Sequence, residues 1–204
     1  HRVEPGDELL RPLLADLIVE YGTRYGRPSP NTTLTEVPPT DFVAPEGAFI
    51  VLTEGGAPVA GGAIRRYDAT TAEVKRVWTA HRHRRRGLGI RVMAELEVAA
   101  AALGYRRIHL TTGPRQPEAR DLYLRTGYTP RFDLTADPES IGPLAFGKEL
   151  VPGAGLAPWT APAHRPVDPD IRETQALATV GGSAGWGSDD RRHGHSTVVN
   201  GSRR

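Results

Sequence analysis

A mixed α/β fold, with a mostly antiparallel central sheet of about six to seven strands and helices on both faces, is predicted by three features of the sequence. Amphipathic segments with apolar residues three and four apart lie near 10–21, 88–103 and 117–127. Short apolar or alternating runs of strand length lie between and after them. Three of these runs follow one another through short turns, which makes an antiparallel meander, whereas the later ones are separated by helices.

Asp7 can cap the first helix, whose Leu10, Leu13, Leu14, Leu17 and Tyr21 form one stripe for packing on a sheet. From Gly26 to Gly47 the residues Pro28, Pro30, Asn31, Pro38, Pro39 and Pro45 break every periodicity. They predict a long loop, with room for a short helix, of the kind that covers a site. Ala48 to Thr53 and Pro58 to Arg66, separated by Glu54, Gly55, Gly56 and Ala57, predict a hairpin, and Gly61 with Gly62 marks a bulge. Thr71 to Thr79 alternates Val74 and Trp78 with Glu73 and Lys75, so one edge of that strand faces solvent or a cleft. Next comes a helix in which Leu88, Val92, Leu96, Ala99 and Leu103 share a face until Gly104 stops it. Ile108 and Leu110 alternate as a strand, Pro117 opens a helix that Gly127 closes, and two short strands follow near Tyr128 to Phe132 and Leu144 to Leu150. These elements make one domain, 1–151. Beyond it the prolines and glycines of 152–204 predict a disordered tail, with Trp159, Trp186 and Ile171 to Val180 as its candidate docking elements.

Composition narrows the function. A chain of 204 residues holds one domain of ordinary size, so one active site is sought. A net charge of +2 gives no global field toward nucleic acid or membrane. No apolar run reaches about 18 residues and charged residues follow His1, so neither a span nor a signal peptide is expected, and the cytoplasm is the expected location. The absence of cysteine removes disulfides, thiolate metal sites and a cysteine acyl-enzyme.

The segment Arg84-Arg85-Arg86-Gly87-Leu88-Gly89 stands between a strand ending near Thr79 and the helix beginning near Leu88. The first turn of a helix leaves backbone N–H groups without partners and carries the positive end of the helix dipole, so it suits an anion. Glycine lets a diphosphate approach, and arginine adds charge-assisted hydrogen bonds. A Walker loop fails for want of Gly-Lys-Ser or Gly-Lys-Thr, and a dinucleotide fingerprint fails for want of its third glycine and ribose-binding acid. A nucleic-acid role for the basic run His81 to Arg86 is disfavoured by its place between a strand and a glycine-capped helix start.

At these residues the sequence resembles the GNAT superfamily, whose acetyl-CoA motif is Arg or Gln, two residues, Gly, one residue, Gly or Ala; Arg84, Gly87 and Gly89 match it. The resemblance extends through Ala72 to Val77, through Gln116-Pro117-Glu118-Ala119-Arg120-Asp121-Leu122-Tyr123, and to Gly127-Tyr128. Gln116 departs from the family, where asparagine is commoner, which bears on a substrate or pantetheine contact. The resemblance implies an acetyl-CoA-dependent N-acetyltransferase that needs no metal. It also implies a strand splayed after a bulge near Thr79 and Ala80, with pantetheine in the gap against Val77 and Thr79. Diphosphate would meet the amides of Arg85, Arg86, Gly87, Leu88, Gly89 and Ile90, with charge from Arg84 and Arg86.

An alkylamine has a pKa of about 10.4, so transfer to it needs a proton acceptor. Glu73 stands where some GNAT members place a basic glutamate; the competing reading is a carboxylate that pairs with Lys75 or Arg65. His81 and His83 are expected as exposed loop residues. Tyr123 stands at the family position of the acid that assists the departing thiolate. The expected partner is a primary amine on a small molecule, with Arg24, Tyr25, Arg65, Arg66 and Tyr67 as candidates to line its pocket. Protein or peptide amines are the enzyme alternative, and a non-catalytic acyl-CoA sensor the alternative of another class. No nucleic-acid or membrane partner is expected, and a homodimer is left open.

Overall fold

The computed structural model describes residues 1–26 and 39–151. Most of the expected loop, with Pro28, Pro30, Asn31 and Pro38, and the whole expected tail with Trp159, Trp186 and Ile171 to Val180 lie outside the described residues. Asp7 caps a single 3-10 turn by accepting from Leu9 N at 2.9 Å, and helix α1 (Arg11–Tyr25) follows with Pro12 in its first turn and Gly26 in the left-handed conformation at its end. Strands β2 (Ala48–Glu54) and β3 (Ala57–Arg66) are joined by Gly55 and Gly56, both at positive φ (58° and 81°), as a tight two-residue hairpin requires. Strand β4 (Thr71–Thr79) completes the meander. Helix α2 (Leu88–Ala102), strand β5 (Arg107–Thr112), helix α3 (Pro117–Arg125) and strand β7 (Leu144–Glu149) lie where periodicity places them.

Three elements are additions or corrections. Strand β1 (Arg2–Val3) and helix α4 (Pro138–Ile141) are too short to leave a periodic signal, and the strand expected over Tyr128 to Phe132 is only β6 (Thr129–Pro130). One seven-stranded sheet results, in the order β1-β2-β3-β4-β5-β7-β6, antiparallel throughout except for the β4–β5 pair.

The sheet is covered on both faces. On one, Ile64, Val74, Ile108, Leu110 and Phe146 pack with Val92, Met93 and Leu96 of α2 and Tyr123 of α3. On the other, Phe49, Val51 and Ala63 pack with Leu10 and Phe42, and Trp78 packs with Leu13 and Leu17 of α1. Trp78 also donates its indole N–H to Asp16 Oδ2 at 2.9 Å. Each such fully buried aliphatic or aromatic side chain contributes about 1.5–3 kcal/mol.

Two features set the site. Between Gly61 and Ala63 on β3 stands one residue, whereas Arg76 and Val77 both stand between their partners Lys75 and Trp78 on β4, so β4 carries a bulge. Arg76 takes a φ of 59° there, and its guanidinium lies over the Phe42 ring at 4.3 Å. The bulge thus precedes the position expected near Thr79 and Ala80. It also explains why Val74 and Trp78, four apart and expected on one face, pack against α2 and α1 on opposite faces. The second feature is that β4 pairs with β5 only from Thr71 to Val74, so the two strands part beyond Val74 and Leu110.

Gly61 and Gly62 let both helices approach β3. A Cβ on Gly61 would stand 2.8 Å from Ile50 O and 3.0 Å from Leu13 of α1, and one on Gly62 would stand 2.9 Å from Leu96 of α2. Gly61→Ala meets backbone, which cannot step aside. It is expected to lower stability by about 1–3 kcal/mol, read as a melting point lower by several degrees. An unchanged melting point would mean that this approach does not constrain the fold.

Candidate active site

After Ala80 N closes onto Val59 O at 2.9 Å, a 3-10 turn (His81–His83) leads into the arginine-glycine segment. Arg84 is extended, Arg85 has a φ of 61° and Gly87 a φ of 77°, and left-handed residues placed between ordinary ones curve the amides toward a common side. The first bond of α2 runs from Arg91 N to Gly87 O at 3.1 Å, and Gly87 brings no side-chain cap. The amides of Leu88, Gly89 and Ile90 therefore precede the helix's own bonding and are open to an anion. The two glycines differ. A Cβ on Gly87 would meet open space, whereas one on Gly89 would press on Leu122 of α3 at 3.2 Å. Gly89 thus also serves the α2–α3 contact, a role beyond the close approach of diphosphate expected of it.

The arginines expected to supply charge are engaged within the protein. Arg84 donates to Glu20 Oε2 at 2.7 Å and to Thr79 O at 3.3 Å. Arg86 holds Glu54 through two bonds (2.9 and 3.1 Å) and lies 2.6 Å from His83 Nδ1. His83 is accordingly half-buried, while His81 is exposed as expected. Arg85 is exposed, and among the described residues no carboxylate pairs with it.

Val77 and Thr79 lie on the part of β4 that has left β5. Across the gap, α3 opens with Gln116 at its N-cap position, where the side chain caps no helix amide. Instead its Oε1 accepts from Thr112 Oγ1 and from Gly113 N, both at 3.0 Å. The Tyr21 phenol of α1 is raised above its ordinary pKa by burial, an effect that the Gln116 side chain opposes. Tyr123 is buried, its ring 5.5 Å from Phe146 and 6.0 Å from Tyr128. Burial, helped by the nearby Tyr21 phenol, pushes the Tyr123 hydroxyl far above its ordinary range, so it stays protonated.

The end of α1 crosses to the β5–α3 loop. Arg24 pairs with Glu20 at 3.1 Å and with Glu118, and donates to Arg115 O; Arg115 Nη1 returns a bond to Arg24 O at 3.0 Å. Tyr25 stacks on Tyr21 at 6.3 Å, and a Cβ on Gly113 would collide with its hydroxyl. Glu20 and Tyr21 are the residues that sequence reasoning did not place at the site. Tyr21 fits the apolar stripe of α1, so its spacing carries no sign of the polar contact at its tip.

Glu73 lies on the α1 side of the sheet, opposite His109 in the β4–β5 register, and is 5% exposed. Its carboxylate pairs with Arg65 Nε at 2.8 Å and Lys75 Nζ at 2.7 Å. Burial alone would raise its pKa, but the charges of Lys75 and Arg65 outweigh it and leave the carboxyl below its ordinary value. The pairing reading is the geometry found. The Tyr67 ring lies 4.7 Å from that of His109, tilted by 46°, and burial holds the imidazole below its usual pKa. Arg65 also reaches Asp41 at 3.3 Å, and Arg66 pairs with Glu46 at 2.9 Å on the surface. Among the described residues no group of three or more His, Asp or Glu is placed to hold a metal ion, and no helix is long and apolar enough to cross a membrane.

Residues 13–128 match the model of the acetyltransferase (GNAT) family. The chain belongs to the GNAT acetyltransferase family. Acetyl-CoA-dependent acyl transfer is that family's reaction. Solved GNAT-fold structures agree with the architecture. A protein assigned as an acyl-CoA N-acyltransferase from Klebsiella pneumoniae is 26% identical, with a TM-score of 0.58 over 74% of this chain and 96% of its own. An acetyltransferase from Streptococcus agalactiae is 19% identical, with a TM-score of 0.56 over 73% and 96%. A GNAT acetyltransferase from Elizabethkingia anophelis, solved with acetyl-CoA bound, is 14% identical, with a TM-score of 0.51 over 73% and 95%. The last two likenesses concern the fold alone. No curated protein matches the sequence.

Two outcomes follow for this GNAT chain. Gly89→Ala and Gly89→Asp share the pressure on Leu122, so the difference between them isolates charge. CoA affinity by calorimetry should fall at least tenfold further for Asp than for Ala, and equal affinities would remove the loop from the cofactor site. Glu73→Gln leaves Arg65 and Lys75 without their shared anion and should destabilise the fold at pH 7 by about 1–3 kcal/mol. Because the folded pKa is depressed, the Glu73 contribution is complete above the unfolded carboxylate value of about 4.3 and is lost as pH falls through the lower folded value. Denaturant unfolding should therefore show the wild-type advantage at neutral pH shrinking in acid; an advantage constant down to pH 3 would contradict the pairing.

Proposed function

We propose that this chain moves the acetyl group of acetyl-CoA to a primary amine of a small molecule, by direct transfer while both substrates are bound. The observation that carries the reading is the gap that opens where β4 leaves β5, with uncapped amides of α2 at one side and the buried Tyr123 at another. The open amides of Leu88 to Ile90 and the exposed Arg85 fit a diphosphate, and the free edge of β4 at Val77 and Thr79 fits an extended pantetheine amide. Acetyl-CoA brings a thioester carbonyl whose carbon–sulfur bond breaks as the amine nitrogen bonds to that carbon.

Within this reading the chain's residues have distinct tasks. Tyr123 donates a hydrogen bond to the departing sulfur. Full transfer of its proton is uphill, because the phenol is held above about 10 while a thiol lies near 8.5, so the role is stabilisation of the thiolate. Glu73, kept anionic by Lys75 and Arg65, favours a water as the immediate acceptor of the amine proton, since a carboxylate so depressed is a weak base. Gln116 is locked by Thr112 and Gly113 at the start of α3, where it closes the β5–α3 loop beside the gap. The absence of cysteine from the whole chain supports transfer without a cysteine acyl-enzyme.

Thiol release from acetyl-CoA over a panel of small primary amines, compared with peptide amines, tests the reading. Turnover confined to small amines is expected, and binding of CoA without thiol release from any amine would leave a sensor. Tyr123→Phe should lower kcat about 10²-fold in single turnover with CoA affinity unchanged, because the hydroxyl acts mainly in the transition state. Wild-type single-turnover rates in that variant would remove Tyr123 from the chemistry.

A further inference from the structure

Glu20, near the end of α1, faces cations from two different parts of the fold. Oε2 accepts from Arg84 Nη2 at 2.7 Å, and Oε1 lies 3.1 Å from Arg24 Nη2. Its side chain is 19% exposed and that of Arg84 39%, so the pair lies at the surface and is open to screening by salt. Arg84 is the residue that opens the arginine-glycine segment. Arg24 is the residue that straps α1 to the β5–α3 loop through Glu118 and Arg115, and Arg115 continues to Glu139 by two bonds of 2.8 and 3.0 Å. One carboxylate thus joins the cofactor loop to the closure of α1 over the other side of the gap.

We propose that Glu20 is an internal stand-in for the diphosphate, holding Arg84 in the free protein until the cofactor's anion displaces it and leaves the carboxylate to Arg24. The inference rests on the reading that the loop binds the diphosphate of acetyl-CoA. Two anions on one guanidinium repel each other across a few ångströms. A diphosphate carries more charge than a carboxylate and takes the planar fork equally well, so it prevails on Arg84. The exchange still gives up the Glu20–Arg84 pair, and a pair of this exposure is a factor of about two to five in the binding constant. Linkage makes the effect mutual: the hold of α1 on Arg84 weakens CoA binding by the same factor by which bound CoA loosens that hold.

Calorimetric titration of the full chain with CoA, and with pantetheine as a probe lacking the diphosphate, tests the proposal. Glu20→Gln keeps length and polarity while removing the charge, and Glu20→Ala guards against a glutamine that rebuilds the contact. Both should bind CoA about two- to fivefold more tightly with pantetheine affinity unchanged. The gain should vanish in an Arg84→Ala background and shrink with added salt. CoA affinity that is unchanged or weaker in both Glu20 variants, while Gly89→Asp abolishes CoA binding, would overturn the proposal and keep the loop as the cofactor site. Equal CoA binding by wild type and Gly89→Asp would instead overturn the loop reading, and the proposal with it.

Discussion

The parallel pairing of β4 with β5 ends at Val74 and Leu110, and two residues later Arg76 adopts a left-handed backbone. A backbone edge left without its neighbouring strand is costly unless something else satisfies it, so this break is the constraint on which the site depends. The left-handed arginine itself costs about 1–3 kcal/mol, offset in part by its guanidinium packing over Phe42 and Phe49 at 4.3 and 5.5 Å. The same extra residue turns Trp78 toward α1 and leaves Val77 against α2, so both helices are tied to the strand at the mouth of the gap. Neither helix can shift without disturbing the opening between them.

Charge follows the same geometry. Cations converge on the gap from the loop, from α1 and from the α1 face of the sheet, and the protein meets most of them with its own carboxylates: Glu20, Glu54, Glu73 and Glu118. These pairs hold the region together, because like charges left together would push the loop, α1 and α3 apart. On the proposed exchange, part of the binding energy of the cofactor is spent on the change of partners, which would make affinity depend on residues that never touch it.

Much of this fold is legible in the sequence because periodicity is a local signal. The stripes of α1 and α2, the Gly55-Gly56 turn and the Pro117 start of α3 each declare themselves within a few residues. The bulge does not, since one inserted residue in β4 leaves a pattern that still looks like alternation, and only Gly61 and Gly62 on the neighbouring strand hint at it. The place of Arg84 to Gly89 between a strand and an uncapped helix start is legible, yet the partners of its arginines come from Glu20 and Glu54, far away in the chain, and no spacing rule connects them. Glu73 was readable as either base or ion-pair partner. Its burial with Arg65 and Lys75, which depends on β3 lying beside β4, is what gives the pairing its weight.

The β2–β3 hairpin gains a meaning from its own tightness. With Gly55 and Gly56 fixing the turn, Glu54 is delivered in register to Arg86 and His83 at the edge of the loop. A hairpin tip ordinarily tolerates insertion because nothing depends on its length. Here a lengthened tip would carry Glu54 out of reach of Arg86 and leave the loop one anion poorer, without altering a residue of the loop. On the proposed role of the loop, hairpin length alone would thus tune how firmly the cofactor is held, at a place separate from the acceptor side.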